Sequence, residues 1–194
     1  LYLCDYNLEK MDSTKIKDKN VLLAEVCMAA KYEGGLIKEH YTKYKETNEG
    51  TASELCTVLA RSFADIGDIV RGKDLFLGND EEKKKRKQLQ QNLKNIFGKI
   101  YRELSRKHKN GTEIKSRYEK DGDDFFQLRE DWWTANRDQV WKAITCEAGV
   151  DKYFRNTCGD DSGTLSHASN KCRCAGKNAD QVPTYFDYVP QYLR

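Results

Sequence analysis

The sequence lacks any run of about 18 or more apolar residues, so no segment predicts a membrane-spanning helix. Its first residues also lack the basic and apolar regions of a secretory signal peptide. The chain begins with Leu1 rather than methionine, and we therefore expect it to be a piece of a longer protein. With no targeting segment to examine, the cysteines are the feature that indicates the cellular compartment.

Patterns of catalytic residues are also scarce. The chain has only three histidines, all in strongly polar stretches where solvated side chains are expected: His40, His108 and His167. Asp65 and Asp68 have the spacing of a carboxylate pair on a helix, but Arg61 and Arg71 lie at ion-pair spacing from them, which favours ion pairs over acid–base chemistry. No glycine pattern matches a phosphate-binding loop. We predict no enzymatic activity and no cofactor.

The seven cysteines contain no C-x-x-C motif. One close pair, Cys172 and Cys174, lacks the second close pair of a structural zinc site, so disulfides are favoured over metal binding and over free thiols. The odd number indicates that Cys4, near the start, pairs with a cysteine upstream of this chain. The remaining candidates are Cys27, Cys56, Cys146, Cys158, Cys172 and Cys174, and the sequence leaves their pairing open.

Composition favours helices. Only 38% of the 194 residues are apolar while 34% are charged, so the core must come from amphipathic elements with strongly polar outer faces. The 34 basic and 31 acidic residues give a net charge of +3, which excludes the bulk polycation typical of many nucleic-acid-binding proteins. Any electropositive site must therefore be local.

Apolar residues at three- and four-residue spacing predict an all-α helical bundle with long irregular loops. The helices are predicted over about 21–47, 52–70, 80–107 and 124–146. Their expected N-terminal caps are Asn20, a Thr51–Glu54 capping box and Asn79, and Gly34-Gly35 predicts a kink or a close helix contact. Residues 147–182 are predicted to form a cysteine-rich loop, residues 1–20 an irregular arm, and residues 183–194 an aromatic segment packed on the helices.

The clearest charged feature is a concentration of cations on the third predicted helix. Five consecutive cations surround a helix, so a solvated helix end is the ordinary interpretation. The functional interpretation is a site for a sulfated glycan or host receptor, because clustered cations attract a polyanion. Nucleic acid would show the same signature, but the disulfide framework argues against it. The candidate residues are Lys83, Lys84, Lys87, Lys94, Lys99, Arg102 and Arg106.

All three tryptophans lie on the fourth predicted helix, at positions 132, 133 and 141. The tryptophans could form an exposed sugar-binding platform or pack in the core. Their helical spacing with Val140 and Ile144 favours packing in the core. Adjacent side chains on a helix diverge, so one of Trp132 and Trp133 is expected to point away from the other, toward a neighbouring subdomain.

Three motifs occur in a distinctive order. They are the run from Ala60 to Gly72, the run from Leu128 through Asp131-Trp132-Trp133 to Trp141-Lys142-Ala143-Ile144-Thr145-Cys146, and the run Pro183 to Gln191. Together with residues 23–34, they closely resemble the alpha-type Duffy-binding-like domain of the malaria parasite's erythrocyte membrane protein 1 family. The resemblance spans nearly the whole chain.

The resemblance implies a disulfide-bonded adhesion domain and variant surface antigen, displayed on the extracellular face of the infected erythrocyte within a membrane-anchored parent protein. Such domains contribute to virulence through cytoadherence, rosetting and antigenic variation. The expected partners are a host receptor or sulfated glycan, antibodies and a neighbouring domain, but not nucleic acid. The alternative is a structural and antigenic domain that supports a neighbouring receptor-binding domain.

The resemblance also predicts the organisation of the chain. Residues 1–20 correspond to the end of an irregular first subdomain and residues 21–194 to a helical second subdomain, whereas the family's third subdomain is absent. Cys4 resembles a family cysteine that pairs upstream. Residues 79–87 and 147–180 fall where the family varies most, and we expect them to be exposed to antibodies. Four cysteines between Asp65 and Arg194 match the commoner alpha subclass, which weakens the expectation of a glycan site.

Overall fold

The computed structural model describes residues 8, 14–16, 18–47, 55–75, 78–107, 111–148, 156–159, 163–168 and 170–194. Five helices account for most of these residues: α1 (Lys19–Thr47), α2 (Leu55–Arg71), α3 (Asp80–Lys107), α4 (Gly111–Tyr118) and α5 (Phe126–Ile144). A two-stranded antiparallel ribbon, β1 (Asn156–Gly159) and β2 (Leu165–His167), lies in the cysteine-rich loop. The prediction of an all-α, disulfide-bonded fold is confirmed. Within the described residues, no helix combines the length and hydropathy needed to cross a membrane.

Side-chain caps fix the starts of two helices. Asp18 accepts hydrogen bonds from the backbone N–H groups of Asn20 (2.8 Å) and Val21 (3.1 Å), so Asp18, rather than the predicted Asn20, caps α1. Asn79 and Glu82 accept reciprocal 2.9 Å hydrogen bonds from each other's backbone N–H groups, which confirms the predicted cap of α3. The predicted capping box at residues 51–54 lies outside the described residues.

The core is built around α5. Trp133 and Trp141 of this helix both contact the ring of Phe63 on α2, with ring centroids 5.2 Å away in each case. Trp132 instead meets Phe97 of α3 edge-on, at 6.1 Å. All three indoles are buried, which favours core packing over an exposed sugar platform. The two adjacent tryptophans therefore join α5 to two different helices.

Helix α4 was not predicted from the sequence, where residues 111–118 gave only a polar stretch. Its last turn is fixed by α5, because Arg117 donates two hydrogen bonds to the Asp131 carboxylate, at 2.7 and 2.9 Å, and the Tyr118 hydroxyl donates a third at 2.8 Å. These hydrogen bonds hold the pKa of Asp131 below its usual value. A helix of eight residues depends on such tertiary contacts, because its own hydrogen bonds hardly offset the cost of nucleation.

Two disulfides tie the cysteine-rich loop to the rest of the chain. Cys172 pairs with Cys56 of α2, and Cys174 pairs with Cys158 of β1. The expectation that Cys27 and Cys146 also form disulfides is not met, because both are free thiols. Burial, together with the nearby Asp138 carboxylate, raises the pKa of Cys27 to about 11, so this thiol stays protonated at neutral pH. Cys4 lies outside the described residues.

Candidate functional site: the outer face of α3

The seven candidate cations lie on one side of α3. At about 100° of rotation per residue, they fall within a sector of about 160°. The buried side chains of the same helix occupy the opposite side and pack in the core: Leu89, Leu93, Ile96, Phe97 and Ile100. The structure therefore brings the predicted residues together on one solvent-facing surface, which we call the α3 cationic face: Lys83, Lys84, Lys87, Lys94, Lys99, Arg102 and Arg106.

The five consecutive cations at the start of α3 do not all belong to this face. Arg86 points toward the core side, where its guanidinium is only 12% exposed and lies 3.2 Å from the Asp74 carboxylate. Lys85 lies beside the face, with its amine 4.0 Å from Glu81. Because Arg86 points inward, the exposed cations on the outer surface of this run are Lys83, Lys84 and Lys87.

Carboxylates are sparse along the α3 cationic face. The helix has three acidic residues in its first turn and then none until Glu103. Lys83 lies 3.5 Å from exposed Asp80, and Lys94 forms an ion pair with Asp124. Arg102 and Arg106 instead donate to backbone carbonyl oxygens of α3, at 3.2 Å each, which orients the guanidinium groups without neutralising them.

The length of the α3 cationic face suits an extended partner. From Lys83 to Arg106 the helix rises about 35 Å at 1.5 Å per residue. Lys84, Lys87, Arg102 and Arg106 are exposed at its two ends. Cations spread along such a distance attract a polyanion through its overall charge, and salt weakens this attraction.

The carboxylates considered for catalysis are occupied by ion pairs. Asp68 accepts a hydrogen bond from Arg71 at 2.9 Å, as the sequence predicted, and it also pairs with Arg194. Asp65 pairs with Arg194 at 3.0 Å rather than with Arg61. Burial raises the pKa of Asp65 to about 6 and outweighs the opposite effect of Arg194, but the carboxyl group faces a guanidinium and not an open cleft.

A cluster of buried charged residues around Asp187 attaches the C-terminal segment, residues 183–194, to helices α2 and α5. Asp187 is fully buried and accepts two hydrogen bonds from Arg137, at 2.7 and 2.8 Å, and a third from the Trp133 indole at 2.9 Å. Arg71, also buried, donates to the backbone carbonyl of Asp187. The predicted packing of this segment onto the helices therefore involves buried charged groups, together with Phe186, which packs against the core, and Tyr188, whose ring lies 5.1 Å from the Arg137 guanidinium.

The aromatic side chains of the C-terminal segment face solvent to a large extent. Tyr192 is 75% exposed and Leu193 65%, while Tyr185 and Tyr188 are about half exposed. Nearby, Leu75 is also exposed, and its backbone N–H donates to Gln191 at 2.8 Å. The sequence indicated aromatic content here but not its exposure, because exposure depends on the distant carboxylates that fix the segment.

Comparison with known proteins places the chain in a family. The model of the Duffy binding domain family matches residues 1–194. No curated protein sequence matches the chain. Solved structures do: a Plasmodium falciparum structure of the N-terminal NTS-DBL1-alpha and CIDR-gamma double domain of PfEMP1 from the varO strain is 41% identical, with a TM-score of 0.74. It covers 98% of this chain, which spans 25% of that one.

Two further structures are DBLbeta domains of PfEMP1. The ICAM-1-binding domain of IT4var13 is 31% identical over 99% of this chain and 39% of its own, with a TM-score of 0.66. The domain of PF11_0521 bound to human ICAM-1 is 34% identical over 89% of this chain and 30% of its own, with a TM-score of 0.54. This chain thus spans well under half the length of each relative. With the family model matching from end to end, the chain belongs to the Duffy-binding-like domains of PfEMP1, a family of non-enzymatic adhesion domains.

Proposed function

We propose that this chain is an adhesion module of a surface-displayed parent protein, and that the α3 cationic face binds a sulfated glycan or an acidic host receptor. The observation that carries the proposal is the placement of seven cations on the solvent side of one helix, opposite its buried side chains. These charges favour a polyanionic partner, because a ligand that carries many negative charges is attracted by all the cations of the face at once.

The family supports an extracellular role. Two of the similar DBLbeta domains are described as binding ICAM-1, so the same scaffold serves recognition of a host protein. Two disulfides in this chain suit an oxidising compartment. Within the proposal, the domain acts on the extracellular face of the infected erythrocyte membrane in cytoadherence or rosetting, and it presents its variable loops to antibodies.

A charge-removal experiment tests the α3 cationic face. We expect Lys84→Gln, Lys87→Gln, Arg102→Gln and Arg106→Gln together to reduce heparin binding and red-cell binding at least about tenfold, because four exposed cations are lost while glutamine preserves helix propensity. Surface plasmon resonance at several salt concentrations measures the affinity. The parent chain is expected to lose affinity steeply with salt, and the variant to show a shallower dependence.

A charge-matched variant separates this face from net charge. Four exposed lysines elsewhere are replaced by glutamine: Lys15, Lys31, Lys115 and Lys120. Both variants lower the net charge equally, so the proposal requires the α3 variant alone to lose binding. Equal losses in the two variants would show that binding follows overall charge, and unchanged binding in both would exclude the α3 cationic face.

A second candidate function is the structural and antigenic role, in which this domain supports a neighbouring receptor-binding domain. The exposed aromatic side chains of the C-terminal segment favour it, because they form an apolar surface on a firmly attached segment. One similar PfEMP1 structure is a double domain in which a CIDR-gamma domain accompanies the DBL1-alpha domain. Cell binding by the parent protein's two-domain form, with none by this chain alone, would favour this role over the first.

A further inference from the structure

A cleft of about 590 Å³ lies between the C-terminal end of α5 and the disulfide-tied loop. Its lining includes three cations, Lys142, Lys171 and Arg173, and one carboxylate, Asp180. The remaining lining is polar or small, with Asn170 and two alanines, and without any aromatic or large aliphatic side chain. The cleft is on different elements from the α3 cationic face, and the sequence motifs gave no indication of it.

The wall of the cleft is held rigidly. Cys172 and Cys174, on either side of Arg173, are disulfide-bonded to two different elements, α2 and β1. The indole of Trp141 donates a 2.9 Å hydrogen bond to the carbonyl oxygen of Cys172. A wall fixed by these bonds loses little conformational entropy when a ligand binds, so even a small ligand benefits from preorganised contacts.

The backbone at the cleft is strained. Lys171 and Cys172 both adopt left-handed conformations, with φ of 54° and 52°. Such angles are unfavourable for residues other than glycine, and two in succession persist only where the surrounding structure imposes them. Cys172 is disulfide-bonded to Cys56 of α2, and the adjacent Lys171 lines the cleft.

Arg173 keeps its positive charge available. Its guanidinium donates to the hydroxyl of Thr145 at 3.1 Å and to the backbone carbonyl of Lys142 at 2.7 Å, both uncharged acceptors. Lys142 itself lies 3.3 Å from the Asp138 carboxylate. In the described part of the chain, no carboxylate forms an ion pair with Arg173 or Lys171. The cleft therefore has a local excess of positive charge at a preorganised wall.

We propose that this cleft binds an acidic sugar residue, with Lys171 and Arg173 holding its carboxylate or sulfate. Charge-assisted hydrogen bonds from guanidinium and ammonium groups are the strongest polar contacts available for such an anion. Asn170 and Asp180 supply amide and carboxylate groups for ring hydroxyls. The polar lining suits a ligand rich in hydroxyl groups, and the volume lies in the range of small-ligand sites.

Nuclear magnetic resonance on the oxidised, isotope-labelled chain tests this site. The probes are 3′-sialyllactose, a sulfated heparin disaccharide and neutral lactose, each titrated at low salt. We expect at least one acidic sugar to shift the backbone signals of residues 170–175 and 179–180, and lactose to leave them unchanged. Comparison of the sialylated and sulfated probes identifies which anion the site prefers, whereas no shift at these residues with either acidic sugar would overturn the proposal.

Variants separate the cleft from the α3 cationic face. Lys171→Asn combined with Lys142→Gln removes two charges, and asparagine tolerates the left-handed backbone at position 171. We expect about a tenfold loss of acidic-sugar affinity, the effect of losing roughly one charge-assisted hydrogen bond. Lys120→Gln, an exposed lysine elsewhere, is expected to have no effect, and Lys171→Arg to retain binding.

Heparin binding through α3 provides the remaining control. The cleft variant is expected to retain it, while the four-residue α3 variant is expected to lose it and still bind the small acidic sugar in the cleft. The two proposals can therefore fail independently. Lys171→Gly, a second replacement compatible with a positive φ, repeats the test if Lys171→Asn lowers the melting temperature. If folded cleft variants bound the acidic sugar as tightly as the parent chain does, the cleft would be excluded as the binding site.

Discussion

Gly34→Ala is expected to destabilise the domain by about 3 kcal/mol, whereas Gly35→Ala is expected to stabilise it slightly. The two glycines are adjacent in α1, but their surroundings differ. A Cβ atom at position 34 would overlap the carbonyl oxygen of Ile144, at the end of α5, and would lie 2.8 Å from its carbonyl carbon. A Cβ atom at position 35 meets nothing within 4 Å.

The two substitutions are expected to change stability in opposite directions because only the Cβ atom at position 34 meets backbone atoms. Backbone atoms cannot rotate away as a side-chain end can, so alanine at position 34 must separate α1 from α5 and disturb the core around both helices. At position 35, alanine only reduces the conformational freedom of the unfolded chain and improves helix propensity, a gain of up to about 1 kcal/mol.

Urea unfolding of the oxidised protein, followed by tryptophan fluorescence, measures both changes. The three tryptophans are buried in the core, so their emission reports its disruption. Because the two variants make the same chemical change at neighbouring positions, their difference isolates the helix contact. Equal stabilities for Gly34→Ala and Gly35→Ala would show that α1 and α5 do not approach each other as closely as the structure indicates.

The contrast between these glycines illustrates what could be predicted from the sequence. A Gly-Gly pair within an apolar helical pattern predicted a kink or a close helix contact. It could not identify which glycine makes the contact, since the partner is a backbone carbonyl 110 positions away in sequence. Local periodicity located the four long helices to within a few residues, because amphipathic patterns reflect burial of one face.

Ion pairs between residues close in sequence could also be predicted, whereas ion pairs between distant residues could not. The sequence predicted Asp68 with Arg71, three residues apart on α2, and the pair is present. It did not predict Asp65 with Arg194, because sequence spacing carries no information about a partner 129 positions away. The disulfide partners were open for the same reason, and Cys27 and Cys146 proved to be free thiols.

The candidate site was predictable because it lies on one helix. Residue spacing alone assigns the seven cations of α3 to a common sector, and burial of the opposite side fixes which sector faces solvent. The cleft beside Arg173 was not predictable, since its lining comes from α5 and from loop residues that two disulfides bring together. Sites assembled from distant segments require the fold.

Asp187→Ala is expected to destabilise the domain by about 3–5 kcal/mol, the usual effect of removing one partner from a buried ion pair. The substitution leaves the Arg137 guanidinium without its carboxylate and the buried Trp133 N–H without an acceptor. Both groups lie in the core contact between α5 and α2, so the loss is not confined to the C-terminal segment.

Asp187→Asn and Asp138→Asn provide the graded controls. Asparagine at position 187 preserves the shape and one acceptor oxygen, so we expect a smaller loss than with alanine. Asp138 pairs with Lys142 on the partly exposed surface of α5, and its replacement is expected to change stability by no more than about 0.5 kcal/mol. Chemical unfolding of the three variants measures this order. If Asp187→Ala were no more destabilising than Asp138→Asn, the buried cluster would contribute nothing to attachment of the C-terminal segment. The exposed tyrosines of that segment would then not be held in a fixed position by this cluster.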